Sequence, residues 1–300
     1  MACIQATFLT NALKRPVTVY ALLPTDKIVR PGKYLPERKP MKTIYLLEGL
    51  MGSSIGPITF AGLQGMAEQY NVAIITVDSQ NKWYANSKTT GDRFGDLVVN
   101  DLINFSRKTF HLSCEREDTY IAGFSMGGYG ALICGLRRPD LFSRIIIMNA
   151  ALNIRDFVLN APDEVPDFDF SCKRNYLAIF GLDKPEDFIG SENDPDYLIY
   201  QNRKDGKPEQ KVFWSTGDKD ALNGYNEKYW NMMKDAGYDV TIEMQPNRGH
   251  SFDALRDGIR DALHWLPLDH FRDNIKEGDL DYDWCDDNNL GDWNVYYNLK

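Results

Sequence analysis

Residues 119–132 read T-Y-I-A-G-F-S-M-G-G-Y-G-A-L and contain the most informative motif of the chain. Tyr120-Ile121-Ala122 is an apolar, β-prone run, whereas residues 131–136 can continue as a buried helix. Between them, residues 123–127 match the pattern G-x-S-x-G. That pattern between a strand and a helix predicts a sharp turn that exposes the serine hydroxyl above the helix start. We therefore predict that Ser125 is a nucleophile.

The glycines allow this turn to form, and the helix start supplies N–H groups that can bind an anion. A Cβ at Gly123 or Gly127 would crowd the neighbouring backbone, so glycine is expected at both positions. The first N–H groups of a helix lack partners within the helix and attract negative charge. The N–H of Met126 is therefore a predicted donor to the oxyanion that forms when Ser125 attacks a carbonyl.

A nucleophilic serine needs a general base, and the chain contains four histidines: His111, His250, His264 and His270. In an α/β-hydrolase the catalytic residues follow the order serine, acid, histidine, which excludes His111. His264 lies in a helix-like run, and His270 follows Pro267 in a charged tail. His250 follows an alternating strand and a Pro-Asn-Arg-Gly turn, at the strand end where open α/β sheets keep their active sites. His250 is the predicted base.

The acid of such a site should lie between the serine and the histidine, just after a strand. Residues 211–215 are strand-like, and Asp218 and Asp220 both follow them. The turn that begins at Gly217 should keep Asp218 close to the strand end, where it is interpreted as a turn-stabilising aspartate. Asp220 lies further out and could reach the Nδ1 side of His250. The spacing favours Asp220 as the acid, but Asp218 is also a candidate.

Strand-like and helical segments alternate along most of the chain. The alternation predicts a mostly parallel sheet covered by helices on both faces, with antiparallel strands at its start. The hydrophobic spacing of residues 94–105 predicts one amphipathic helix. The predicted strands are Ile4 to Leu9, Val17 to Leu23, Thr43 to Leu47, Val72 to Val77, Thr119 to Phe124, Arg144 to Met148, Val212 to Ser215 and Val240 to Met244.

Five segments match the motifs of one known family. They are the elbow G-F-S-M-G-G-Y-G-A-L at 123–132, R-P-D-L-F at 138–142, G-D-K-D-A-L at 217–222, G-H-S-F at 249–252 and Y-L-L-E-G-L-M-G at 45–52. On these segments the chain, to about Trp265, resembles the esterase D group of serine hydrolases. That group includes tributyrin and feruloyl esterases and S-formylglutathione hydrolases. The resemblance implies an α/β-hydrolase fold, favours Asp220 as the acid, and assigns the second oxyanion donor to the N–H of Leu50.

One position departs from that family. Glu48 stands where the esterase D group usually has histidine and sometimes serine. A carboxylate directed at a developing oxyanion would oppose catalysis, whereas one directed into the loop could brace it by accepting backbone hydrogen bonds. We favour the brace, because the main-chain donor at Leu50 does not depend on the side chain at position 48.

Between residues 149 and 211 the alternation stops, and prolines, acids and scattered aromatic residues take its place. A structureless loop of that length is uncommon in a compact domain, so we predict a small cap of short helices over about 153–208. Such a cap would overhang Ser125 and shape the pocket, the alternative being a packing insertion unrelated to substrate. Trp83 follows the fourth strand as either a second pocket wall or a core aromatic. Glu48 and Trp83 are thus the candidate substrate-binding residues.

Length and motif content limit the domain organisation and the cofactors. The chain of 300 residues is expected to form one α/β-hydrolase domain over 1–270, followed by an acidic C-terminal tail over 271–300. A calcium loop in that tail would need glycine at Trp284 and glutamate at Leu290, so the tail is not a calcium site. The sequence has no histidine and cysteine cluster with zinc spacing and no glycine-rich phosphate loop. No metal and no cofactor are expected.

Charge and cysteine content limit the partners and the compartment. A net charge of −9 argues against nucleic-acid and anionic-membrane partners. No apolar run approaches the ~20 residues that span a bilayer, and the first eight residues alternate like an edge strand rather than a signal peptide. Five widely spaced cysteines without a C-x-x-C motif favour the cytoplasm. A homodimer is the commonest assembly for such a protein.

Three functions are compatible with these features. The main hypothesis is a serine carboxylesterase that hydrolyses small acyl or aromatic esters of small molecules through an acyl-serine intermediate. The enzymatic alternative is an S-formylglutathione hydrolase or other thioesterase, or an acyltransferase that passes the acyl group to another acceptor. The non-enzymatic alternative is a catalytically silent hydrolase fold that acts as a binding protein, and only Glu48 supports it.

Overall fold

A computed structural model describes residues 1–26, 39–164 and 171–268. Their strands form one eight-stranded sheet in the order β1-β2-β4-β3-β5-β6-β7-β8. The strands are β1 (Ala2–Leu9), β2 (Pro16–Leu23), β3 (Thr43–Leu47), β4 (Ala73–Val77), β5 (Thr119–Phe124), β6 (Arg144–Met148), β7 (Lys211–Gly217) and β8 (Asp239–Gln245).

The strand directions are those predicted from the alternation of strand-like and helical segments. β1 and β2 are antiparallel to each other, and β2 is antiparallel to β4. All the other neighbours, from β4 through β3 to β8, are parallel. Every residue of β3 and β4 is buried, as expected for central strands with helices on both faces. The predicted α/β-hydrolase fold is confirmed.

The described residues form ten α-helices, which pack on both faces of this sheet. The alternating residues of the central strands point to two separate cores: Tyr45 and Leu47 join one, and Ile44 and Leu46 join the other. The first core contains α5, and the second contains residues of α1, α2 and α10. The helices are α1 (Gly56–Ala61), α2 (Leu63–Gln69), α3 (Phe94–Asp96), α4 (Ile103–Thr109), α5 (Met126–Arg137), α6 (Ile154–Asn160), α7 (Lys173–Phe180), α8 (Pro195–Lys204), α9 (Asn223–Asp235) and α10 (Phe252–Trp265).

The helix predicted from the spacing of residues 94–105 is present but not uniform. A π-helical stretch, Leu97–Leu102, lies between α3 and α4. Phe94, Leu97 and Leu102 are buried, and the ring of Phe105 stacks on Phe8 with centroids 4.1 Å apart. The hydrophobic spacing identified the buried face, but a repeat of this length does not distinguish an α turn from a π turn.

The region between β6 and β7 contains short helices. In its described part, α6, α7, the 3₁₀ turn Pro185–Phe188 and α8 follow one another. The acidic tail predicted for 271–300, and His270 with it, lie outside the described residues. Among the residues that the structure describes, no helix is both long and apolar enough to cross a membrane.

Candidate active site

Ser125 occupies the turn between β5 and α5. Its backbone has φ 58° and ψ −121°, a conformation that costs free energy for a residue with a side chain. The turn is held on several sides, because the Ser125 N–H donates to the Met148 carbonyl at 3.0 Å and its own carbonyl accepts from the Gly128 N–H at 2.9 Å. The surrounding structure therefore fixes the strained residue in place.

The two glycines of the motif are required by close backbone approach. A Cβ at Gly123 would collide with the carbonyl of Gly127, and a Cβ at Gly127 would collide with the carbonyl of Leu47. The start of α5 therefore packs directly against the ends of β5 and β3. Only glycine allows this approach, which brings the helix N-terminus under Ser125.

The imidazole of His250 joins Ser125 to Asp220. Its Nε2 lies 2.8 Å from Ser125 Oγ, and its Nδ1 lies 2.8 Å from Asp220 Oδ2. The side chain of His250 is 36% exposed, whereas that of Asp220 is 0% exposed. Because an ionised carboxylate only accepts hydrogen bonds, Nδ1 carries the proton and Nε2 accepts from the serine O–H. The arrangement can transfer a proton from the serine to the histidine.

Asp220, and not Asp218, contacts the histidine. Burial raises the pKa of Asp220, but hydrogen bonds from His250, from the Leu222 N–H and from the Asn149 amide outweigh it and keep the pKa below its usual range. Asp218 is exposed and donates its backbone N–H to the Gln245 carbonyl at 3.1 Å. The acid side chain is therefore ionised beside the imidazole at neutral pH.

The loops that carry Asp220 and His250 are bonded to each other. The N–H of Lys219 donates to the carbonyl of Arg248 at 3.0 Å, and the Lys219 ammonium donates to Asn247 Oδ1 at 2.9 Å. Just after the histidine, Ser251 caps α10 by accepting the Ala254 N–H at 3.3 Å. The distance between acid and base is thus set by the backbone as well as by the side chains.

Residues 49–54, here called the oxyanion loop, run beside the nucleophile. A Cβ at Gly49 would lie 3.3 Å from Cβ of Ser125, so the loop passes within van der Waals distance of the serine. Met126 is the first residue of α5, where its N–H has no acceptor within the helix. Leu50 directly follows Gly49 in the loop. The N–H groups of Met126 and Leu50 therefore come from the two segments that flank Ser125.

Comparison of the sequence with protein families identifies the family of the chain. The Esterase family model matches residues 10–267. The chain belongs to the Esterase family. It is 30% identical over 266 residues to an acetyl esterase of Caldicellulosiruptor saccharolyticus, an alignment that covers 89% of this chain and 98% of that protein.

Solved structures of other hydrolases and esterases share the fold of this chain. The substrate-bound fluorophosphonate-binding serine hydrolase F of Staphylococcus aureus has a TM-score of 0.75 and 24% identity over 88% of this chain and 98% of its own. An S-formylglutathione hydrolase of the same organism has a TM-score of 0.74 and 24% identity, with the same coverage. A ferulic acid esterase has a TM-score of 0.66 and 17% identity over 88% of this chain and 97% of its own. This member of the Esterase family is a serine hydrolase of carboxylic esters.

Two buried asparagines support the site of this Esterase family member, and sequence reasoning missed both. Asn149 follows β6, adopts φ 44° and donates its amide N–H to Asp220 Oδ2. Asn226 on α9 donates to the carbonyl of Ala150 and accepts its N–H, both at 3.0 Å. The position of Asn149 at the carboxyl end of a central strand was the only signal in the sequence.

Glu48 is buried and turned toward the loop after β4. Only 3% of its surface is exposed, and its Oε1 accepts the Ser79 N–H at 2.8 Å and the Ser79 hydroxyl at 3.1 Å. Burial, with a smaller contribution from the carboxylate of Asp78, raises the pKa of Glu48 to about 7. The contacts agree with a bracing role and give Glu48 no surface from which to contact substrate.

Trp83 is also buried. The residue is 5% exposed, and its indole meets the ring of Tyr129 edge-on, with centroids 5.7 Å apart. Tyr129 lies one turn after Ser125 in α5 and donates its hydroxyl to the carbonyl of Asn193 at 2.7 Å. This environment favours the core-aromatic interpretation of Trp83 over a pocket wall.

A cavity of about 640 Å³ with mixed polar and apolar walls lies between the segment after β4 and the short helices before β7. Neither Ser125 nor His250 lines it. Its walls are Asn86, Lys88, Thr89, Phe180, Gly181, Leu182, Asp183, Asp187, Ser191, Glu192 and Asn193. The cavity is therefore separate from the serine and the histidine.

Proposed function

We propose that Ser125, His250 and Asp220 are the catalytic triad of a carboxylesterase. The observation that carries the proposal is the unbroken pair of 2.8 Å hydrogen bonds from Ser125 through His250 to Asp220. His250 Nε2 takes the proton of Ser125 Oγ as that oxygen bonds to the ester carbonyl carbon. Asp220 holds the Nδ1–H tautomer and stabilises the imidazolium that results.

The N–H groups of Met126 and Leu50 are the proposed oxyanion donors. This assignment rests on the helix start beneath Ser125 and on the close approach of Gly49 to the serine. Backbone donors fixed in place before the reaction stabilise the tetrahedral oxyanion without reorganisation. The carbon–oxygen bond to the alcohol then breaks, and the alcohol leaves with the proton from His250. Water, deprotonated by His250, hydrolyses the acyl-serine and restores the enzyme.

The proposed substrates are small-molecule esters with a short acyl group. The acetyl esterase of Caldicellulosiruptor saccharolyticus, which this chain matches at 30% identity, supports an acetyl group. A series of p-nitrophenyl acetate, butyrate and octanoate, measured beside an S-acylglutathione thioester, tests the proposal. We expect kcat/KM to be highest for the acetate. A preference for the glutathione thioester would replace the ester proposal with the thioesterase alternative, and a preference for octanoate would contradict the short acyl pocket.

The segment of about 153–208 is proposed as a cap on a single domain that extends over 1–270. Two contacts that tie the segment to α5 support the idea: Tyr129 donates to the Asn193 carbonyl, and Arg137 pairs with Glu192 at 3.0 Å. Exchanging the segment for a short linker should change acyl selectivity. Unchanged relative kcat/KM values across the ester series would favour the packing-insertion alternative.

We also propose a cytoplasmic location and a homodimeric assembly. A cytoplasmic location is supported by the free thiols of Cys3, Cys114 and Cys134 among the described residues. The net charge of −9 supports the absence of nucleic-acid partners. A homodimer is proposed only from the general prevalence of such assemblies, and light scattering would test it.

A further inference from the structure

Glu48 links the nucleophile region to the segment after β4, residues 78–81, here called the β4 loop. It directly follows β3, and a Cβ at Gly127 in α5 would collide with its carbonyl. The same carbonyl accepts the hydroxyl of Tyr84 at 3.1 Å. The backbone at position 48 is therefore fixed between the start of α5 and the segment after β4, immediately before the oxyanion loop begins.

The β4 loop accepts hydrogen bonds from the oxyanion loop at two further points. The N–H of Met51 donates to Asn81 Oδ1 at 2.7 Å, and the N–H of Ser54 donates to Asp78 Oδ1. At Glu48 the β4 loop is the donor instead, because Oε1 of Glu48 accepts hydrogen bonds from both the N–H and the hydroxyl of Ser79. Together these bonds hold the turn that contains Leu50 against the β4 loop.

The other carboxyl oxygen of Glu48 has a different environment. Oε2 is buried and has no hydrogen-bond partner among the residues that the structure describes. Asp78 approaches from the β4 loop and adds negative charge, and Tyr84 approaches from further along the same segment. Helix α5 contacts the backbone of Glu48 at Gly127, so this contact adds no charge near the carboxyl group. An ionised Glu48 would therefore be a poorly solvated charge beside a second carboxylate.

We propose that the neutral carboxyl of Glu48 is a positioning group for the oxyanion loop, and that its ionisation slows the reaction. In the neutral form Oε1 still accepts both hydrogen bonds of Ser79, so the brace is complete without a charge. In the ionised form the residue immediately before the oxyanion loop carries a negative charge, and Gly49, the next residue, would place a Cβ 3.3 Å from Cβ of Ser125. Such a charge opposes the negative charge that the transition state develops. The proposal rests on the assignment of the oxyanion donors under the proposed function.

Burial sets the pH range in which the effect should be seen. Because burial, followed by the charge of Asp78, raises the pKa of Glu48 to about 7, the side chain is mostly neutral at pH 6 and mostly ionised at pH 8. Glu48→Gln preserves the size and the acceptor toward Ser79 but removes the ionisation. Dividing the kcat of this variant by the wild-type kcat at each pH removes the common contribution of His250.

The deciding experiment compares wild type, Glu48→Gln and Glu48→Ala on p-nitrophenyl acetate from pH 5.5 to 8.5. We expect the ratio of Glu48→Gln to wild-type kcat to be near one at about pH 6 and to rise by about threefold to tenfold at about pH 8. Glu48→Ala, which loses the brace, should lower kcat by about 10-fold to 100-fold at every pH, less than the loss of a donor itself. KM should change by less than about twofold, since the loop acts on the transition state.

A ratio for Glu48→Gln that stays flat with pH would overturn the proposal, and so would an unchanged kcat for Glu48→Ala. If Glu48→Ala does not fold, the pH dependence of the Glu48→Gln ratio decides alone. Glu243→Gln, at an exposed position on β8, is the matched control and should retain the wild-type profile. Absence of fluorophosphonate labelling at Ser125 in the wild type would instead refute the proposed function itself, and with it the role of the loop.

Discussion

The imidazole of His250 lies against the ring of Phe124, with the two centroids 4.9 Å apart and the ring planes tilted by 34°. Phe124 is the last residue of β5 and immediately precedes Ser125. The elbow therefore contributes both the nucleophile and a surface for its base. An aromatic face also attracts the positive charge that the imidazole acquires during the reaction.

Loss of that face should weaken the positioning of His250. We expect Phe124→Ala to lower kcat by about threefold to tenfold, because the imidazole loses its packing surface and its charged form loses about 0.5–1 kcal/mol of stabilisation. Phe124→Tyr retains the ring and should retain most of the activity. Steady-state kinetics on p-nitrophenyl acetate test the pair, and equal losses in both variants would contradict a role for the aromatic face.

The acid assignment predicts opposite outcomes for two nearby aspartates. Asp220→Asn keeps the shape of the side chain but favours the wrong imidazole tautomer, so kcat should fall by about 10⁴. Asp218→Asn is the matched control, because Asp218 is exposed and bonds the Gln245 carbonyl through its backbone N–H. A large loss in Asp218→Asn with an active Asp220→Asn would reverse the assignment.

Asn149 should hold the carboxylate of Asp220 in its ionised form. Asn149→Asp replaces the donated amide N–H with a second carboxylate next to Asp220 Oδ2, so one of the two acids should bind a proton more tightly. The acid limb of the kcat profile should move to higher pH and kcat should fall. Asn160→Asp, at an exposed position on α6, should leave the profile unchanged. An unmoved acid limb in Asn149→Asp would exclude this role.

Trp83 should contribute to stability and not to substrate binding. Its indole is buried against Tyr129, so Trp83→Ala should lower the free energy of unfolding by about 3–5 kcal/mol. KM should stay within about twofold of wild type for every ester of the acyl series. Urea unfolding and steady-state kinetics measure the two quantities. A stable variant with a raised KM for particular esters would show that Trp83 forms a pocket wall.

The sequence predicted most of what backbone patterns determine. All eight strands were anticipated. The central parallel strands are continuous apolar runs with turn residues on either side, and the first and last strands show alternation. The elbow was equally clear, since Gly123 and Gly127 have steric reasons to be glycine. His250 could be predicted as the base because the chain contains only four histidines and because the catalytic residues follow a fixed order along the chain.

Side-chain partners across the sheet could not be predicted in the same way. Glu48 and Ser79 lie 31 residues apart, and Asn149 and Asp220 lie 71 residues apart, so no local pattern relates them. Trp83 occupies a segment that leaves the active edge of the sheet, yet its contact with Tyr129 buries it. Such pairings depend on the register of neighbouring strands and on loop conformation, which the hydrophobic pattern does not encode.

The role of Ser125 is tested most directly by comparing the kcat for p-nitrophenyl acetate of wild type and Ser125→Ala at neutral pH. If Ser125 is the nucleophile activated by His250, the variant should lose on the order of 10⁶ in kcat. The fold should survive, because the change removes only the hydroxyl oxygen that bonds His250. Equal rates for the two proteins would show that Ser125 is not the nucleophile for this ester.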